Sequence, residues 1–305
     1  MNSILISIFT LAMLVLVSTT SHAAPIVIMY GGLGGHANGD SINDGALAIV
    51  NQATAAVSIV GHPAGVARLS GLEFDSTGAL FGATQNNVAF PPPTLKGPSN
   101  LVRLDPLTGA TLYTVAIKDA TGREINIADL AVQPGTNILF GISSDIGGLG
   151  AGELFTIDKI TGLATLVGTT DDFFASIAFA PDGTLYMFAQ TLTFGPNSPI
   201  FGPPELEILN PSNAAELSAV PTSQFYGAFG IRPTDGVLFA GNGDGGAGIA
   251  ALFTVNPNTG VATLIGPTGR NFIGDLTFQV VPEPGTLVLL GLGLAGLGFS
   301  RRKKA

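Results

Sequence analysis

The side chains in this sequence best suited to chemistry are carboxylates in glycine-rich segments. Asp40 and Asp44 sit within GGLGGHANGDSINDG (31–45), Asp145 within 141–152 and Asp244 within GNGDGGAG (241–248), while Asp171 and Asp172 adjoin. Oxygen ligands carried on flexible segments suit calcium. The D-x-D-x-D-G spacing of an EF-hand is absent, however, and acidic glycine segments also serve as plain solvated turns. Paired carboxylates could instead do acid–base work, which needs two of them about 5–9 Å apart at one mouth. Sequence spacing alone brings no two within reach. His36 and His62 stand singly, without H-x-x-x-H spacing, and read as loop polarity rather than as a base or metal ligand.

Several classes of function fall away on composition. There is no cysteine, which removes disulfides, thiol catalysis and Cys-type zinc sites. No G-x-S-x-G elbow, P-loop or zinc signature occurs. The net charge is −9, and Arg301, Arg302, Lys303 and Lys304 account for four of the twelve basic residues. With Glu283 also in the tail, residues 24–280 hold 20 acidic against 8 basic side chains. Nucleic-acid binding needs a clustered basic surface, so it is not expected. A mean hydropathy of +0.47 is high for a soluble domain, and two apolar terminal segments explain part of it.

The elements that must carry these carboxylates are short β-strands in a repeat. Residues 154–190, LFTIDKITGLATLVGTTDDFFASIAFAPDGTLYMFAQ, read as four strands joined by a D-x-x-T-G turn and a Pro-Asp-Gly turn. First-strand-plus-turn copies are LAIVNQATA (47–55), LVRLDPLTG (101–109), LFTIDKITG (154–162), LEILNPSNA (206–214) and LFTVNPNTG (252–260). Their turn-opening residues, Asn51, Asp105, Asp158, Asn210 and Asn256, are structural. Third-strand copies centre on Leu72, Leu130, Ile177, Phe229 and Leu276, and fourth-strand copies begin at Leu80, Leu139, Leu185 and Leu238. The fifth copy lacks its fourth strand, while IVIMYG (26–31) is an unmatched strand at the front. A spare strand at one end and a missing one at the other fit circular closure, which removes exposed edges. The expected fold is all-β: a β-propeller-like domain over residues 24–280, of five blades, or six if a loop hides a degenerate one.

That wiring puts tight turns on one face and long links, 31–45, 82–100, 141–152, 190–205 and 241–248, on the other. Binding usually resides on long loops held by a rigid scaffold. Aromatic residues assigned to that side are Phe90, Phe173, Phe174, Phe194, Phe201, Phe225, Tyr226 and Phe272. They could stack on sugars, but packing inside the repeat is the better reading. Tryptophan, the best sugar platform, is absent.

Both ends carry addresses. Residues 1–23 have an apolar stretch (4–17) too short for a comfortable span, followed by Ser21-His22-Ala23, the pattern of a signal peptide cut by signal peptidase. Residues 281–305 comprise Pro282-Glu283-Pro284, an apolar glycine-rich run (285–299) and the basic cluster Arg301, Arg302, Lys303 and Lys304. The run would form a transmembrane helix with its basic end cytoplasmic. This order of motif, helix and basic tail resembles the PEP-CTERM sorting signal of bacterial exported proteins. The resemblance implies recognition by exosortase, a membrane-held precursor in the inner membrane, and delivery of the body to the cell surface or an exopolysaccharide matrix. The body's repeats also resemble propeller-like domains of such exported proteins.

Two readings follow for the body. One is a non-catalytic binding or structural module for a polysaccharide or protein partner, without a cofactor unless the loops Asp40, Asp44, Asp145 and Asp244 hold calcium. The other is an extracellular hydrolase or lyase using loop carboxylates. The scarcity of histidine and the absence of any catalytic motif favour the first.

Overall fold

The computed structural model describes residues 25–34, 45–84, 99–143, 152–170, 172, 174–194, 199–242, 250–270 and 273–281. Its strands are β1 (Ile26–Leu33), β2 (Leu47–Val50), β3 (Val57–Gly61), β4 (Leu69–Phe74), β5 (Leu80–Thr84), β6 (Asn100–Leu104) and β7 (Thr111–Ala116). Next come β8 (Lys118–Asp119), β9 (Ile127–Val132), β10 (Leu139–Ser143), β11 (Glu153–Ile157), β12 (Leu163–Thr169), β13 (Phe174–Phe179) and β14 (Leu185–Phe194). The last are β15 (Pro199–Leu209), β16 (Glu216–Pro221), β17 (Ala228–Ile231), β18 (Leu238–Asn242), β19 (Ala251–Val255), β20 (Ala262–Pro267) and β21 (Ile273–Val281).

These strands form five sheets, the blades of a five-bladed propeller. From the inner strand outward they are β21-β1-β2-β3, β4-β5-β6-β7, β9-β10-β11-β12-β8, β13-β14-β15-β16 and β17-β18-β19-β20. Closure is as the repeat count requires: the N-terminal β1 joins the C-terminal β21 in the first blade. The blade boundary differs from the repeat read along the chain. Within residues 154–190, β11 and β12 close the third blade while β13 and β14 open the fourth. Hydrogen bonding decides this, because each fourth-strand copy pairs with the first-strand copy that follows it, as Leu185 does with Leu209. The two-residue β8, running parallel to β12, adds an outer strand that no periodicity announces.

Five apolar clusters hold the blades together, one at each junction. Met29, Val50, Phe239, Leu252, Ile273 and Phe278 fill the space between fifth and first blades. Tyr30, Leu47, Leu72, Phe74 and Leu80 fill that between first and second. The remaining junctions are alike. Among the described residues four of the five carry an aromatic pair across the gap, such as Tyr30–Phe74 at 5.2 Å and Phe188–Phe229 at 4.7 Å between ring centroids. Alternating side chains of the inner three strands enter the junctions on either side, so both faces of a blade are buried there, while outer strands such as β7 and β16 stay largely exposed.

The repeat turns bind each blade to its neighbour as well. Asn51, Asp105, Asp158, Asn210 and Asn256 each accept the amide two residues on, at 2.9 Å. Each turn closes with a bond from its fifth amide to the first carbonyl, 2.9 Å in Gly162 to Asp158. That fifth residue adopts positive φ in all five copies: Ala55, Gly109, Gly162, Ala214 and Gly260. It lies against the end of the outer strand of the preceding blade.

Compact packing covers Val27–Gln279. The expected signal peptide (1–23), the PEP motif and the C-terminal helix and basic tail lie outside the described residues.

Candidate functional site

The long links run between second and third strands of each blade, and their stems share one face. Leu33 and Ala46 bracket the segment with Asp40 and Asp44, bonded N to O at 2.8 Å. Ser143 Oγ accepts the Glu153 amide (2.9 Å) at the base of the segment with Asp145. Asn242 Oδ1 accepts the Ala251 amide (2.6 Å) at the base of that with Asp244. The four aspartates themselves, with Asp171 and His36, lie outside the described residues. His62 is exposed beyond β3.

The fourth link, 190–205, is not an open loop. Pairing between β14 and β15 continues out to Phe194 and Pro199, with a register shift at Gln190/Leu192. Gln190 Nε2 spans that irregularity to the Gly202 carbonyl at 2.9 Å. β-rich sequence, TLTF and PIFG, extends the hairpin past the blade. It presents Ile200 and Phe201, 58 % and 53 % exposed. Of the aromatic residues assigned to this side, Phe225 is half-buried and Tyr226 fully buried. Tyr226 packs at 5.0 Å from Phe188 and 5.4 Å from Phe253, as a packing residue does. Phe90, Phe173 and Phe272 lie outside the described residues.

The carboxylates that the fold does bring together are others. Aligning the inner strands places Gly71, Asp129, Ser176, Ala228 and Asp275 at one level of the axis, each followed by an apolar residue. Asp129 and Asp275 are fully buried and hydrogen-bonded to each other. Asp129 accepts the amides of Leu130 (2.7 Å) and Ile177 (2.8 Å). Asp275 accepts those of Leu72 (2.5 Å), Leu276 (2.6 Å) and Phe229 (3.4 Å). These are the five equivalent amides of the five inner strands. An inner strand is an edge, and its inward amides have no strand to pair with. Two aspartates satisfy the whole ring.

Burial holds both groups well above the usual carboxylate range. The charge of Asp129 adds to this for Asp275, and that of Glu73 for Asp129. One level further along, Glu73 accepts from Thr277 Oγ1 and the Phe74 amide, both at 3.1 Å. Burial and the charge of Asp275 hold it high too. The signal for this cluster was present in the sequence, as an aspartate opening two apolar β runs, ADLAV and GDLTF.

A second acidic pair lies between third and fourth blades. Glu207 of β15, 4 % exposed, is hydrogen-bonded to the buried Asp172 in the link from β12 to β13. Burial, then the charges of Asp172, Glu216 and Glu205, pushes Glu207 up to about 8. Asp172 belongs to the carboxylates picked out in the sequence, whereas Glu207 was hidden in an LEIL strand. In both pairs the carboxyl groups touch and are closed off from solvent. They do not stand apart across an open mouth as acid and base around a substrate would.

Comparison with known proteins finds the PEP-CTERM protein-sorting motif at residues 280–303. No curated protein matches the chain. Among solved structures, a Bacteroides caccae protein of unknown function is 14 % identical, covering 84 % of this chain and 99 % of its own, with a TM-score of 0.46. The Pseudomonas aeruginosa periplasmic gluconolactonase PpgL is 13 % identical over 84 % of this chain and 99 % of its own, TM-score 0.44. Kuenenia stuttgartiensis hydrazine synthase is 14 % identical over 69 % of this chain and 62 % of its own, TM-score 0.41. Likenesses this distant carry nothing about ligand or activity. The sorting motif implies an exported protein with a membrane-anchored precursor, processed by an exosortase.

Proposed function

We propose that the mature protein is a surface or exopolysaccharide-matrix component whose propeller serves as a non-catalytic binding or structural module. One observation carries the reading: the sorting motif begins at residue 280, at the end of β21 (Ile273–Val281), the inner strand of the first blade, so the ring closes where the signal begins. A body that is finished at its sorting signal is suited to release as one rigid unit. The axial pair is occupied with backbone amides, and the carboxyl groups of both pairs with each other, which leaves binding to the long-loop face. There, Ile200 and Phe201 on the β14–β15 hairpin and the segments with Asp40, Asp44, Asp145 and Asp244 would meet a polysaccharide or protein, with calcium as a candidate organiser of those segments.

Two experiments test this. Replacing Pro282, Glu283 and Pro284 with alanine should leave an unprocessed precursor in the inner membrane; normal delivery would refute the sorting role. Released protein should bind the producing organism's own exopolysaccharide. Loss of binding in chelator would assign calcium to the loops. Failure to bind in either condition, with turnover of a glycoside, would replace this reading with the hydrolase or lyase one.

A further inference from the structure

We propose that a single proton shared between Asp129 and Asp275 locks the propeller at its axis, and that losing this proton in alkali loosens β21 from its neighbours. The two carboxyl groups come from the third and first blades and meet across the axis in hydrogen-bond contact. A bond between two carboxyl groups requires a proton, since two bare carboxylates so close repel each other. The five amides around them favour negative charge, but one delocalised charge satisfies that ring. A second would have no counter-ion.

The groups facing the pair bear this out strand by strand among the described residues. On β4 the titratable neighbour is Glu73, itself an acid. β21 brings only the uncharged Thr277, whose hydroxyl is directed to Glu73. On β13, Ser176 donates to the Tyr226 carbonyl at 2.9 Å, and β17 brings Ala228 and Gly230. Lys159 acts on Glu73 through space but is committed to Asp75 at 3.0 Å. Among the described residues no cation figures in the interactions of Asp129 or Asp275, the buried Arg68 just before β4 included.

Asp275 lies on the C-terminal strand and holds amides of three blades, those of Leu276, Leu72 and Phe229. Ionising the pair sets two like charges against each other, and their repulsion drives Asp275 away from the amides by which β21 is tied to β4 and β17. The last strand of the ring is thus the one the proton secures.

The test uses the full chain purified in detergent and follows thermal unfolding from about pH 7 to pH 10, with the Glu207→Gln substitution to remove the raised acid between third and fourth blades, and with Glu73, also raised, kept in parent and variant alike. The midpoint should fall with rising pH by at least about 5 °C. Asp129→Asn, whose amide donates permanently to Asp275, should flatten the fall. Hydrogen exchange at Leu72 and Phe229 should accelerate in alkali beyond its intrinsic pH dependence in the parent and not in the variant. A flat profile in the parent, or an equal slope in Asp129→Asn, overturns the proposal. If that variant does not fold, exchange at Leu72 and Phe229 in the parent decides, because these amides are held by Asp275 and not by Glu73.

Discussion

Gly162→Ala gives the sharpest test of how the blades are fastened. Gly162 closes the Asp158 turn at φ 73°, and a Cβ there would stand 2.4 Å from the Ala116 carbonyl at the end of β7 in the preceding blade. An alanine in that left-handed conformation costs about 1–2 kcal/mol. Forcing a methyl group against fixed backbone adds about 1–3 kcal/mol. Reduced freedom of the unfolded chain returns about 0.5–1 kcal/mol. The net loss should be about 2–4 kcal/mol. Gly78→Ala is the control, because Gly78 has the same kind of φ, 80°, in the β4–β5 turn with nothing within 4 Å of its Cβ position. It should cost about 1 kcal/mol or less. Chemical denaturation with an unchanged slope would measure both. Equal losses in the two variants would mean that the repeat turns do not bear on the neighbouring blade.

Other expectations follow from the buried acids and the closure. Glu207, raised to about 8, contributes stability that is fully present below its ordinary value near 4.5 and is lost as pH rises towards 8. Glu207→Gln should therefore match the wild type near pH 4.5 and exceed it above pH 8, on the order of 2 kcal/mol once its coupling to Asp172 is discounted. Urea titrations at the two pH values would show this. Asp129→Ala strands the amides of Leu130 and Ile177 and should cost about 2–6 kcal/mol by the same titration, at about 1–3 per buried amide. Deleting residues 24–32 removes most of β1 and bares the edges of β21 and β2. It should abolish cooperative unfolding or lower the midpoint by well over about 10 °C, and an unchanged midpoint would contradict closure through β1.

The ring was legible because its information is local. Asp158 and Gly162 in one repeat, Asn256 and Gly260 in another, announce the same turn, and strand parity then decides which face carries the long links. The spare strand at 26–31 gave the closure. What could not be read was tertiary. Residues 190–205 look like a polar-to-apolar link, and only pairing across 187–209 turns them into an extended hairpin. The axial pair brings Asp129 to Asp275, 146 positions apart, and no periodicity predicts which two of five equivalent sites carry the acid. Glu207 resembled an ordinary outward residue of a half-exposed strand until the link from the third blade covered it with Asp172.

The docking of turns onto neighbouring strands also fixes the order of the blades. Where the turn ends in glycine, as at Gly162 and Gly260, the opposing carbonyl of Ala116 or Pro221 stands 2.4 or 2.1 Å from the missing Cβ. Where it ends in alanine, as at Ala55 and Ala214, the glycine is found across the gap instead, at Gly266 and Gly168. A Cβ on Gly168 would lie 2.0 Å from the Asn213 carbonyl and 3.1 Å from the Ala214 methyl. Each junction therefore leaves out a side chain on one partner, and at the Gly61–Gly109 junction on both. Moving the fourth blade's turn, with its alanine, onto the second blade would drive that methyl into Ala116. Blades that share one sequence pattern are thus not interchangeable, and a shuffled ring should lose stability by about the amount that Gly162→Ala measures at a single junction.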